Sequence, residues 1–153
     1  MSHKDKLIIF ETTLRDGEQS PGASMTRDEK VRIAKNLERM GVDIIEAGFP
    51  ASSPEDLKAV QLICENIKNV TICGLTRARS EDIDICGKAI AKAKRSRIHT
   101  GIGVSDIHIQ GKFGGTKYGR SMSAKKANII KMAVKAIKCA RKYTDDFEFY
   151  AED

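Results

Sequence analysis

Along this chain, short apolar runs alternate with longer stretches in which apolar residues recur every three or four positions. Residues 7–10 form the first run. Thr26 and Glu29 then have the spacing of a capping box, ahead of Val31, Ala34 and Leu37 on one helix face. Gly41 stops that helix, and residues 42–47 predict a second strand. Ser53 and Pro54 supply an N-cap and a first-turn proline for a helix buried through Leu57, Val60, Cys64 and Ile67. Residues 70–74 predict a third strand. Ser80 is expected to cap a helix that faces the core with Ile83, Gly87, Ile90 and Ala91, and residues 98–104 predict a fourth strand. Ser123 is expected to cap the longest helix, with Ala127, Ile130, Val134 and Ile137 as its buried face, before a fifth strand at 147–150. Residues 110–122 mix Gly111, Gly114, Gly115 and Gly119 with Lys112, Lys117 and Arg120, and read as the one long irregular stretch.

Five strands alternating with four helices imply a parallel sheet, because parallel neighbours need a crossover that a helix usually supplies. Two α/β architectures fit. A (β/α)8 barrel takes about 250 residues, so five of its eight strands would lie here. A five-stranded doubly wound sheet suits the length of 153 residues better but wants a helix after its last strand. Periodicity does not choose between them.

Composition narrows the class. With 41% apolar and 31% charged residues the chain reads as one globular unit. No apolar run approaches the roughly 20 residues of a membrane span, and residues 1–6 are polar, so a cytoplasmic protein without a membrane partner is expected. Cys64, Cys73, Cys86 and Cys139 lie far apart with no C-x-x-C pair, and read as reduced packing residues rather than zinc ligands. The net charge of +6 is uneven: residues 88–142 carry fifteen Lys and Arg against the single acid Asp106. Such a segment suits a polyanion, either nucleic acid or the nucleotide end of a coenzyme, or else a solvated helix face. Aromatic residues make up only 5% and none alternates with the bases, so a basic nucleic-acid-binding module is the lesser reading.

The stretch from Thr12 to Gly22 follows the first strand directly. In either architecture ligands bind at the carboxyl ends of the strands, so its side chains would face a site. Arg15 offers a planar fork of donors for a carboxylate or a carbonyl oxygen gaining charge, and Asp16 a hard oxygen ligand for a divalent cation. Arg-Asp-Gly fits a plain turn equally well. Glu46 and Glu152 end strands, where a carboxylate can ligate metal or move a proton; a structural salt bridge suits Glu46 as well. His99 lies inside the fourth strand, where a hydrogen-bonded core histidine is the commoner case. No phosphate-binding P-loop, no G-x-G-x-x-G after a strand and no G-x-S-x-G elbow occurs, which argues against nucleotide hydrolysis and serine-hydrolase chemistry.

Three blocks together, Ile8 to Gly22, Gly41 to Pro50 and Arg97-Ile-His-Thr100, closely resemble the 2-isopropylmalate synthase family over nearly the whole chain. The first block is shared with homocitrate synthases and, more loosely, with 3-hydroxy-3-methylglutaryl-CoA lyases. Glu46-Ala-Gly-Phe-Pro50, Ser52-Ser-Pro-Glu55 and Arg97 to Thr100 resemble the isopropylmalate enzymes more specifically. The resemblance implies a (β/α)8 catalytic barrel, of which residues 1–153 would be the N-terminal portion, ending before the later strands. It implies a metal-dependent, Claisen-type condensation of acetyl-CoA with the 2-oxo acid 2-oxoisovalerate, giving 2-isopropylmalate and CoA in leucine synthesis, by a full-length homodimer. Asp16 would ligate Mn2+ or Mg2+, Arg15 would be catalytic by stabilising the alkoxide, and Glu152 would be an acid of the substrate site. Gln19 and His99 match residues near the pocket.

Two departures stand out. The family's His-x-His pair, which supplies the other metal ligands, is absent from this sequence, and Tyr150 stands where many relatives carry a serine near the substrate. The glycine-rich stretch 110–122 is also longer than expected for the family. Glu148 occupies the place of an arginine in homocitrate synthases, and its charge would repel 2-oxoglutarate in favour of an uncharged branched tail. Citramalate synthesis from pyruvate stays open, since a pocket discriminates a methylene by only about 1–3 kcal/mol. A lyase of the same barrel class stays open too. Taken alone, residues 1–153 would leave a parallel edge unpaired, so the isolated chain is expected to be inactive and prone to aggregate.

Overall fold

Short runs carrying isoleucine in the three central strands and phenylalanine in the two outer ones form the sheet. β1 (Phe10–Glu11), β2 (Ile44–Gly48), β3 (Thr71–Arg77), β4 (Ser96–Gly103) and β5 (Phe147–Glu152) make one all-parallel sheet in the spatial order β1-β2-β3-β4-β5. The computed structural model describes residues 6–153; the first five residues, including His3, lie outside the described residues. Spatial order resolves what periodicity left open. A doubly wound sheet reverses at a switch point, so its spatial order departs from chain order. Here every strand is added to the same edge, which is how a barrel winds.

Five α-helices connect the strands, one more than the pattern predicts: α1 (Arg27–Met40), α2 (Pro54–Asn66), α3 (Ser80–Ile90), α4 (Asp106–Lys112) and α5 (Met122–Ala140). The capping box of α1 forms as expected: the Thr26 hydroxyl accepts from the Glu29 N–H, and the Glu29 carboxylate accepts from the Thr26 N–H at 2.8 Å. Gly41 closes α1 in the left-handed conformation, φ 82°, and Ser53 caps α2 ahead of Pro54. Further along the boundaries shift. α3 follows Arg79 without a side-chain cap, and α5 is capped not by Ser123 but by Ser121, whose hydroxyl accepts from the Ala124 N–H. The glycine-rich stretch is not irregular throughout. α4, capped by Ser105, covers its start, and a 3-10 turn at Thr116–Tyr118 its middle. Seven residues are too few for a helical period to show in a sequence window.

The core lies between sheet and helices, where Ile45, Ile72 and Ile98 meet Val60, Ile63, Ile83 and Ile90, all wholly or almost wholly buried. α5 turns a different face inward from the one expected. Ile129, Ala136, Cys139 and Ala140 are buried, while Ile130 is 65% and Val134 45% exposed, and Ala127 is exposed as well. Both stripes recur at three and four, so the period holds for either; contact with α3 and β4 selects the inner one. Ala91 likewise falls outside α3, exposed at its C-cap. All four cysteines are free and buried. Among the described residues no helix is long and apolar enough to cross a membrane.

Candidate active site

Alternation along the strands separates two faces of the sheet. Ile45, Ile72, Ile98 and Ile102 pack towards the helices, whereas Glu46, Cys73, His99, Gly101 and Tyr150 occupy the concave face. There Glu46 of β2 and His99 of β4 meet across β3, with Nδ1 and Oε1 2.7 Å apart and Glu46 only 2% exposed. A buried carboxylate without a partner is costly, and the imidazole supplies one. With Nδ1–H donating to Glu46, His99 keeps Nε2 for another partner. Its ring also touches Phe10 and Tyr150, at centroid distances of 5.7 and 4.8 Å. Tyr150 lies flat across its register neighbour Gly101, where a Cβ would overlap the phenol ring. Burial pushes the Tyr150 phenol pKa up.

Nearer the amino ends, Arg97 is held by Asp146 at 2.8 Å and Glu148 at 3.0 Å. Glu148 is therefore a paired carboxylate, whose charge is offset by the arginine of the adjacent strand.

At the carboxyl ends of the strands opens a cleft of about 660 Å³, whose lining includes Arg15, Phe49, Arg77, Lys112, Tyr150 and Glu152. The loop after β1 delivers Arg15 by a tight turn. The N–H groups of Arg15, Asp16 and Gly17 all donate to the Thr12 carbonyl, at 3.0, 2.8 and 3.2 Å, and a 3-10 turn at Gly17–Gln19 follows. The segment is thus a turn, and it places Arg15 at the lining of the cleft. The Arg15 guanidinium donates to Asp16 at 3.0 Å, and the Asp16 side chain is 63% exposed. Gln19, exposed, borders an adjoining hollow of about 240 Å³ that Arg15 also lines. Glu152 accepts from Lys112 Nζ at 3.2 Å, with His108 Nε2 3.8 Å away.

Of the residues singled out in sequence, Arg15, Tyr150 and Glu152 share the cleft, Asp16 and Gln19 adjoin it beside Arg15, and His99 underlies Tyr150. Glu148 is directed to Arg97 instead. Sequence reasoning missed Phe49, Arg77 and Lys117. Arg77 forks onto Asp82 at 2.6 and 3.1 Å and stacks over the Phe49 ring at 5.6 Å. Their signal was position, since each lies at the carboxyl end of a strand or in the loop beyond it.

The HMGL-like family model matches residues 6–153. The chain belongs to the HMGL-like family. Its similar relatives include a 2-isopropylmalate synthase from Nitrosococcus oceani, 55% identical over 150 residues that cover 98% of this chain and 28% of that protein. Another, from Methylococcus capsulatus, is 56% identical over 149 residues, covering 97% of this chain and 27% of that protein. The chain thus spans little more than a quarter of the length of the curated relatives it matches. Among solved structures, an HMG-CoA lyase of A. baumannii in complex with coenzyme A and 3-methylmalate aligns with a TM-score of 0.63 at 19% identity. That alignment covers 97% of this chain and 46% of the lyase chain, and the likeness is one of fold. This HMGL-like chain is the N-terminal portion of a barrel, five parallel strands curled with helices outside.

The electrostatics of the HMGL-like cleft favour an anion. Arg15, Arg77, Arg79, Lys112 and Lys117 line it with Glu152, and although Asp16, Asp82 and Glu81 pair with the three arginines from outside the lining, the cations remain in excess. Lys112 and Lys117 belong to the basic segment 88–142, so part of that charge faces the cleft rather than open solvent. Among the described residues no three His, Cys, Asp or Glu side chains are grouped to hold a metal ion. The exposed Asp16 carboxylate, engaged by Arg15, suits a single ligand of a cation but makes no metal site by itself.

Proposed function

We propose that residues 1–153 are the first part of the catalytic barrel of a 2-isopropylmalate synthase, an acyltransferase that condenses acetyl-CoA with 2-oxoisovalerate and releases CoA. The observation that carries this reading is identity of 55% to a 2-isopropylmalate synthase across 98% of the chain, with Arg15, Tyr150 and Glu152 gathered in one strand-end cleft. The later strands of a longer chain would pair the open edge of β5, and the helix after β5 would cover Ile130 and Val134 on α5.

In this reading the cationic cleft draws in two anionic substrates, the carboxylate of the oxo acid and the phosphates of the coenzyme. Arg15 donates N–H groups towards the ketone oxygen as it becomes an alkoxide, the moment when a fixed guanidinium is worth most. Asp16 would contribute one oxygen ligand to Mn2+ or Mg2+, with the other ligands outside this chain, and the bound cation would serve as a Lewis acid. Glu152 stands where it can hold or move a proton, its charge balanced by Lys112. The Glu46 and His99 pair fixes the floor on which Tyr150 rests, and Tyr150 narrows the space left for the oxo-acid tail. Gln19 borders the same region from the loop after β1.

The deciding experiment follows free thiol in the full-length protein with acetyl-CoA and Mn2+. Release that requires 2-oxoisovalerate, with pyruvate and 2-oxoglutarate weaker, is the expected result. Acetyl-CoA formed from a hydroxyacyl-CoA with no oxo acid added would make the protein a lyase instead.

A further inference from the structure

The buried stripe of α1 contains a charge. Lys30, Ala34 and Leu37 are its buried residues, and the Lys30 side chain is only 4% exposed. Its ammonium lies 2.6 Å from Glu18 Oε2 and 2.9 Å from Asp56 Oδ1. Each carboxylate has a second task. Glu18 Oε1 accepts from the Met25 N–H at 3.0 Å, clasping the loop after β1 back on itself. Asp56 Oδ2 accepts from the Phe49 N–H at 3.1 Å and the Ser52 hydroxyl at 2.9 Å, fixing the turn after β2. One ammonium therefore joins the loop that presents Arg15 and Asp16 to the turn that presents Phe49. Packing alone does not call for this arrangement, because an apolar side chain in the same stripe would avoid the desolvation of three charges. What an apolar residue cannot do is hold two loops in one register through directional bonds.

We infer that Lys30 is a positioning residue for the condensation site: clamped between Glu18 and Asp56, it fixes Arg15 against Phe49 at the cleft. The inference rests on the function proposed above, and Lys30 itself touches neither substrate nor reacting atoms. The clamp acts through geometry, so its loss lowers turnover more than it weakens binding. Small misplacement of a catalytic group, caused by a change away from the chemistry, can cost on the order of 100-fold in rate.

The test uses the full-length protein with Lys30→Met, Lys30→Arg and Glu18→Gln, read by steady-state kinetics and by amide hydrogen exchange. Lys30→Met is expected to lower kcat about 100-fold while KM for acetyl-CoA stays within about twofold. Exchange should quicken about tenfold in residues 15–19 and 48–52 and stay unchanged in β3 and β4. Lys30→Arg, which keeps the charge and the donors, should recover much of both. If Lys30→Met does not fold, Glu18→Gln decides, because it leaves the ammonium its Asp56 partner and should loosen residues 15–19 alone. A Lys30→Met enzyme that melts earlier but keeps wild-type kcat and loop protection overturns the positioning role. The exchange readout does not use the reaction. Loosened loops in Lys30→Met, where the wild-type protein itself shows no synthase activity, would therefore refute the proposed function and leave the clamp standing, while protected loops in a Lys30→Met enzyme of wild-type activity would refute the clamp alone.

Discussion

The two faces of the sheet are stabilised by different physics. On the helix side, Ile45, Ile72 and Ile98 are fully buried among apolar neighbours. On the concave side, Glu46 meets His99, Arg97 meets Asp146 and Glu148, and Tyr150 lies over Gly101. Apolar burial is non-directional, so many combinations of similar volume fill the first face. The second face depends on bonds with definite partners, drawn from residues 53 apart for Glu46 and His99 and 51 apart for Arg97 and Glu148. A change in the apolar packing of the helix side should therefore act on stability, and one on the concave side or at its mouth should act on chemistry.

The sharpest separation is expected at Arg15. In the full-length protein Arg15→Lys keeps the charge but loses the planar fork, and CoA release should fall about 100- to 1000-fold with the melting temperature nearly unchanged. A variant that turns over normally would remove Arg15 from the chemistry. Ile72→Ala should do the reverse, lowering unfolding free energy by about 2–5 kcal/mol in a denaturant titration while kcat per folded molecule holds.

Alkaline pH acts on the helix side as well. Burial pushes the Cys64 and Cys86 thiols up to about 12, from an ordinary value of 9.0. A raised folded-state pKa contributes stability that is fully present below the unfolded value and is lost as pH rises through the folded one. Lys30 adds to this at higher pH: burial lowers its proton affinity, but the bonds to Glu18 and Asp56 more than offset that, and its pKa is raised above 10.5. Melting temperatures measured upward from about pH 8 should decline from about pH 9 and continue to fall towards pH 12. A flat profile would mean that the thiols are solvated.

The smallest expected effect lies at the mouth of the concave face. Tyr150→Ser removes a half-buried ring and widens the cleft, so selectivity between 2-oxoisovalerate and bulkier 2-oxo acids should move towards the bulkier by about tenfold. Unchanged selectivity, measured as kcat/KM ratios, would show that Tyr150 does not face the oxo-acid tail.

Much of the helix side is legible in sequence, because caps and apolar spacing are local. Thr26, Glu29, Gly41, Ser53 and Pro54 mark the ends of α1 and the start of α2 where the structure has them. Legibility fails where two local solutions are equally good. α5 has two apolar stripes, and only contact with α3 and β4 selects Ile129 over Ile130. It fails again at α4, which is too short to show a period, and at Lys30, a charge whose burial depends on Glu18 and Asp56 from other segments. In the candidate site the block from Thr12 to Gly22 flags Arg15 and Asp16, but nothing in it indicates that Phe49, Arg77 and Lys117 complete the cleft, or that Arg97 engages Glu148.

The sequence by itself determined the main alternation of strands and helices, the caps of α1 and α2 and the residues of the loop after β1, since these follow from propensities and spacings within a few positions. Tertiary structure alone decided that the strands wind in one direction, which stripe of α5 faces in, and which distant side chains neutralise one another. Those choices turn on contacts between segments tens of residues apart, and such contacts have no signature in the local pattern of apolar and polar positions.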